Sequence, residues 1–186
     1  CESIKSVINP TPPLPTPVRP IVVTPMDVQN HPRLWIRSED LPHLRALVSD
    51  SNPYYRDGLA LLVELAKQNM DAGRVPGEDS GSASWEEYPT EEYALLFAFM
   101  SLIHPEASER DAYAARARVL LMHVIDQAAK GPAEGKAFRD PSFSWNDRSR
   151  WNGRSFGLTV DWIYPYLSPS DKAAIHKVFV RWSEEI

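Results

Sequence analysis

The chain has 186 residues, of which 43% are hydrophobic and 24% charged, with a formal net charge of -5. That is enough apolar material for one globular core, and the charge balance excludes the clustered basic face that marks a nucleic-acid binder, so no nucleic-acid partner is expected. The most apolar stretch, residues 93–103, is about half the roughly 18 apolar residues of a membrane-spanning helix and reads instead as a buried helix.

The chain begins with its only cysteine, Cys1, and residues 1–32 carry eight of its 17 prolines. Such a segment is an extended polyproline-type spacer outside any core. A cysteine followed by a Pro-rich tether has the form of a bacterial lipoprotein start, in which a signal peptide is removed before a lipid-bearing Cys1. The expectation is therefore an extracytoplasmic, lipid-anchored protein at the bacterial cell surface or in the periplasm. A single lipid attaches a protein to a membrane without spanning it. The Pro-rich arm is also expected to dock on a protein partner.

Helical signals then follow in order. Ser38 as N-cap, with Glu39 and Asp40 in the first turn, predicts a short helix over 39–49. Asn52 and Pro53 open a second helix running to about Asn69, with Tyr55, Leu59, Leu62, Val63 and Ala66 at helical spacing. Residues 70–89, rich in Gly, Ser and Pro, form a loop longer than a plain connector, and long loops on a helical scaffold tend to carry function.

Thr90 opens a third helix that is apolar nearly all round and so buried on most sides. Ser108–Lys130 is the fourth, stopped by Gly131 and Pro132. A second loop over 131–148 precedes a fifth helix at about Arg150–Tyr164. In the sixth, Ser168 is the cap, Pro169 the first position, and Asp171 the residue reaching back. No segment alternates as a strand would. The fold class expected is all-α, built of antiparallel helical hairpins, with the tether at 1–32 and the helical domain at 33–186.

Two stretches carry a family resemblance. HPRLWIRSEDLPHLRALV, residues 31–48, resembles a segment at the start of heparinase II/III-like proteins and related toroidal polysaccharide lyases. FGLTVDWIYPYLSPSDKAAIHKVFVRW, residues 156–182, is similar to their Asp-Trp-hydrophobic-Tyr helix end, Leu-Ser-Pro turn and following helix. The resemblance implies that the hairpins form part of an (α/α) toroid, incomplete at its C-terminal end, whose family usually adds β-sandwich domains. Both motifs belong to the scaffold, and a fold alone does not carry function.

The activity the resemblance implies is β-elimination on uronate polysaccharides. This chemistry needs a donor that neutralises the uronate carboxylate, a base, an acid and aromatic faces for the sugar rings. Asn152, beside Trp151, resembles the cleft Asn of these lyases and is the expected carboxylate neutraliser, with Asn146 after Trp145 as the competing position. The family more often places Asn before consecutive Trp residues, a departure from the Trp-Asn-Gly-Arg order found here.

Arg148, Arg150 and Arg154 have the fork geometry that grips carboxylate or sulfate; with 25 acidic residues in the chain, ordinary surface pairing is the competing role. Trp85 and Trp145, both in loops, are expected stacking platforms. Trp151 and Trp162 are expected in the core, and Gly153, Gly157 and Asp161 form a stripe read as helix packing. The five histidines show no ligand spacing, so neither metal nor cofactor is expected. The functional expectation is a polysaccharide lyase-like protein that binds or cleaves acidic glycans, with a non-catalytic lipid-anchored binding or structural subunit as the alternative.

Overall fold

The computed structural model describes residues 30–76, 89–132 and 147–184, apart from the side chains of residues 147–149. Cys1, the tether before residue 30, and the loop residues Trp85, Trp145 and Asn146 lie outside the described residues, as does the side chain of Arg148. Among the described residues the chain is all-helical, without strands. Six α-helices are present: α1 Leu41–Ala46, α2 Ala60–Asp71, α3 Thr90–Ile103, α4 Ala107–Ala129, α5 Asp147–Trp162 and α6 Pro169–Glu184. None is long and apolar enough to cross a membrane.

α3 is the centre of the packing. Ala94, Phe97, Ala98, Met100, Leu102 and Ile103 are buried on several of its sides, as an apolar surface without a polar face requires. α4 turns back on α3 through His104–Glu106, and Phe97 meets Tyr113 at a ring-centroid distance of 6.2 Å. α4 ends where its sequence predicts, with Gly131 in the left-handed conformation at φ 84°, which a residue without Cβ adopts at no steric cost.

The hairpin of α5 and α6 lies beside the hairpin of α3 and α4 in the same orientation. α5 runs parallel to α3: Ser155 pairs with Glu92, and seven residues further along each helix Trp162 meets Phe99 at 5.8 Å. α6 runs parallel to α4 in the same manner, since Arg118 holds Asp171 and Arg181 reaches the carbonyl of Ala128. Asp71 and Lys67 of α2 contact Arg116 and Tyr113 of α4. α3 and α5 thus form one layer, and α2, α4 and α6 the other.

Arginines close two helix ends. Arg45 donates to Leu102 O at the end of α3, and Arg181 to Ala128 O at the end of α4. Both reach last-turn carbonyls, where positive charge is favoured, and Ala128 O accepts from the Gly131 amide as well.

Three local expectations are corrected. The first helix has Arg37, not Ser38, at its N-cap, with Asp40 Oδ2 reaching back to accept from the Arg37 amide, and it is a 3-10 turn at Ser38–Asp40 followed by α1. A carboxylate at the third position takes the amide of the residue before Ser38 and so sets the start one residue earlier. α5 stops at Trp162, and Tyr164–Tyr166 is a separate 3-10 turn, because Pro165 has no N–H to donate and disfavours a helical Tyr164. Trp151 is 41% exposed, not core. Trp151 shares the α5 face of Ser155 and Trp162, but the Glu92–Ser155 register sets Thr90, where α3 begins, level with Gly153, so α3 does not reach back over Trp151.

The start of α6 follows its sequence signal. Asp171 Oδ2 accepts from the Ser168 amide, and the Asp171 amide donates to Ser168 Oγ, forming a capping box. Arg118 adds two hydrogen bonds at 2.8 Å and, with the Ser168 cap, holds the Asp171 carboxyl down at about 2 against the opposing effect of burial.

A depressed carboxylate stabilises the fold above its unfolded value, near 3.9, and that contribution is lost as pH falls toward about 2. Because Arg118 is half in solvent, Asp171→Asn is expected to cost only ~1–2 kcal/mol at neutral pH. Urea unfolding across a pH series should show the gap between variant and wild type closing below about pH 4.

Candidate functional site

The parallel seam of α3 and α5 is polar at its N-terminal end. Thr90, Glu91, Asn152, Ser155 and Thr159 are all buried there, in contrast to the apolar packing of Phe99 on Trp162 further along. Some of these groups are satisfied locally: Thr159 Oγ1 donates to Ser155 O, and Ser155 Oγ donates to Glu92 Oε1 at 3.0 Å. Asn152 differs. It is 0% exposed, and neither Nδ2 nor Oδ1 has a hydrogen-bond partner among the described residues. A buried amide left in this state costs on the order of 1–3 kcal/mol.

Around the edge of the seam α5 turns toward solvent. Arg154 donates to Glu92 Oε1 at 2.6 Å, and its guanidinium carbon stands 5.4 Å from the centre of the Trp151 ring. Arg150, Trp151 and Arg154 line a shallow depression of about 280 Å³. An exposed indole beside two guanidinium groups combines a flat apolar face with planar hydrogen-bond forks. Glu92 already takes part of the Arg154 charge. A pair this exposed is worth about 0–1 kcal/mol, so an incoming carboxylate can compete for the guanidinium at little cost.

The C-terminal end of α5 holds the segment before α1. Asp161 Oδ1 accepts from His31 Nδ1 at 2.6 Å, and Asp161 Oδ2 accepts from the amides of Arg33 and Leu34 at 2.8 and 2.9 Å. Trp162 Nε1 donates to Leu34 O, and the His31 ring stacks on Tyr164 with centroids 4.0 Å apart. The two stretches that carry the family resemblance, residues 31–48 and 156–182, are therefore joined to each other. Asp161, whose stripe suggests helix packing in the sequence, instead seats an extended arm.

Of the sequence-predicted site residues, the structure brings Arg150 and Arg154 together on the outer side of α5 and places Asn152 behind them in the seam. Trp85, Trp145, Asn146 and the Arg148 side chain are outside the described residues; Asn146 immediately precedes α5, and residue 89, which follows the Trp85 segment, immediately precedes α3. Glu92, Ser155 and Trp151 belong to the site, but sequence reasoning does not single them out for it. Spacing within α5 could have flagged Trp151, since Arg150, Trp151 and Arg154 share one side of a helix. Glu92 had no such signal, because it comes from a helix 62 residues away.

Among the described residues no group of three His, Cys, Asp or Glu side chains is gathered so as to hold a metal. No family model, curated protein or solved structure matches the chain. What the site does rests on its own chemistry.

Replacing Asn152 with Leu, which has the same branching and number of side-chain heavy atoms, removes the buried amide and should raise the unfolding free energy by about 1–2 kcal/mol. Urea denaturation of wild type and variant checks this. A loss of stability would show that the amide is hydrogen-bonded in solution.

Proposed function

We propose that this chain binds acidic glycans on the outer surface of α5 and belongs to a heparinase II/III-like protein whose chemistry is β-elimination. The observation that carries the reading is the exposed Trp151 ring with Arg154 against it and Arg150 beside it. A sugar ring stacks on the indole while its carboxylate or sulfate takes the guanidinium forks. Asn152 lies directly behind this surface and is the amide proposed to neutralise the uronate carboxylate in the eliminating step. Trp85, Trp145, Asn146 and Arg148 are proposed as further contacts with the same glycan. The repeated hairpin step, with α3 parallel to α5 and α4 parallel to α6, is the arrangement from which an (α/α) toroid is built. Lipid anchoring through Cys1 and an extracytoplasmic location are part of the same proposal.

A second reading is favoured by the complete burial of Asn152. An amide sealed in a helix seam cannot reach a substrate without local opening, and the same surface then serves a non-catalytic helical subunit that binds the glycan and leaves it intact.

The whole chain is to be titrated calorimetrically with heparan sulfate, chondroitin sulfate and alginate, and the same mixtures followed for the ultraviolet absorbance of the unsaturated product. Trp151→Ala and Arg154→Ala are each expected to weaken binding about tenfold, the equivalent of ~1.4 kcal/mol. Glu92→Gln removes the competing carboxylate and should tighten it. Absorbance that disappears in Asn152→Ala with binding intact supports the lyase, and binding with no absorbance in the wild type selects the subunit. If none of the three glycans binds, both readings fail.

A further inference from the structure

Trp35 is the only non-glycine residue with positive φ, 64°, among the described residues, and it is 82% exposed. The Ile36 amide donates back to Leu34 O at 2.7 Å, closing a three-residue γ-turn of the rare, strained kind around the tryptophan. A left-handed conformation is costly for a bulky residue and persists only when the surroundings over-determine it, and such outliers cluster at ligand sites.

Here the surroundings do so on both sides. Asp161 fixes the amides of Arg33 and Leu34, Trp162 fixes Leu34 O, and Ile36 packs against the core. The backbone is thus fully held while the indole faces water, the reverse of what burial of an apolar side chain would favour.

This turn is seated against α5 through Asp161 and Trp162. Arg150, Arg154, Gly157 and Asp161 follow one another at spacings of four, three and four residues, along a single stripe of α5. The Trp35 turn is seated at the Asp161 end, and Trp151 with Arg154 stands at the other, roughly 15 Å away at 1.5 Å per residue. Gly153 and Gly157 lie between, and a Cβ added at either would meet nothing within 4 Å among the described residues, so these leave the floor between the two tryptophans open. Arg33 is 47% exposed, and its Nε stands 3.6 Å from Asp161, beyond hydrogen-bond length.

We infer that Trp35, with Arg33, is a second subsite for an acidic glycan chain lying along α5, the indole stacking on a sugar ring and the guanidinium taking its carboxylate or sulfate. The strained turn fixes the plate before the ligand arrives, which reduces the ordering cost of binding. The subsite rests on the reading of the α5 surface as glycan-binding.

The test compares the whole wild-type chain with Trp35→Gly and Trp35→Phe, titrated calorimetrically with short and long uronate oligosaccharides from alginate and heparan sulfate. Glycine tolerates positive φ, so the Trp35→Gly melting temperature should hold or rise. Its affinity for the long oligosaccharides should fall about tenfold, with short-oligosaccharide binding at Trp151 unchanged, and Trp35→Phe should remain within a few-fold of wild type. Equal affinity of Trp35→Gly and wild type for the long oligosaccharides, with Trp151→Ala still impaired, overturns the subsite and leaves the proposed function standing. Failure of every glycan to bind the wild type removes both. A change in oligomeric state in Trp35→Gly, with glycan affinity unaltered, would instead make Trp35 a contact between copies of the chain and also overturn the subsite.

Discussion

The structure depends on one constraint, the burial of α3. A helix with apolar side chains on nearly every side has no face to give to water and must be enclosed by neighbours. α4 covers it from the hairpin, α5 lies parallel along another side, and α1 and α2 close on what is left. Dispersion and apolar burial act without direction, so α3 alone would accept many arrangements. The specific one is selected by the directional contacts at the rims: Ser155 on Glu92, Arg118 on Asp171, Arg181 on Ala128 O and Arg45 on Leu102 O. Each joins residues more than 50 positions apart and ties one helix to another at a helix end or seam.

α5 serves two purposes because its sides have different neighbours. The side against α3 carries Asn152, Ser155, Thr159 and Trp162, which are buried. The stripe of Arg150, Arg154, Gly157 and Asp161 lies elsewhere on the cylinder and meets solvent at one end and the His31–Trp35 arm at the other. Asp161 is the pivot of that second side. A single carboxylate accepting from one imidazole and two amides makes an extended segment as well defined as a helix. Charge-assisted hydrogen bonds of this kind are about twice as strong as neutral ones.

Two features oppose stability, and both lie on or against α5: the amide of Asn152, without a partner among the described residues, and the left-handed Trp35. A chain selected for stability alone would carry Leu at the first position and Gly at the second. Departures from local consistency in an otherwise consistent fold tend to gather at sites of function, and these two share a helix with the Trp151 and Arg154 surface. The proposed glycan path accounts for all three together.

The positions of the helices were legible in the residues. The Gly-Pro and Ser-Pro punctuation, the left-handed Gly131 and the Ser168–Asp171 box act within a few residues of themselves, so the sequence by itself determined where α4 stops and α6 starts, and the all-helical class. It also supplied Arg150, Trp151, Asn152 and Arg154 as neighbours, because spacing along one helix is a local property. Only the tertiary structure decided which of them face water. Asn152 is buried in the seam with α3, and Trp151 is exposed because α3 begins only at Thr90, level with Gly153, a register set by Phe99 and Glu92 about 60 residues earlier. Asp161 could not be told from a packing residue, nor Trp35 from a core tryptophan, because their roles come from each other across about 130 residues, a separation on which local periodicity is silent.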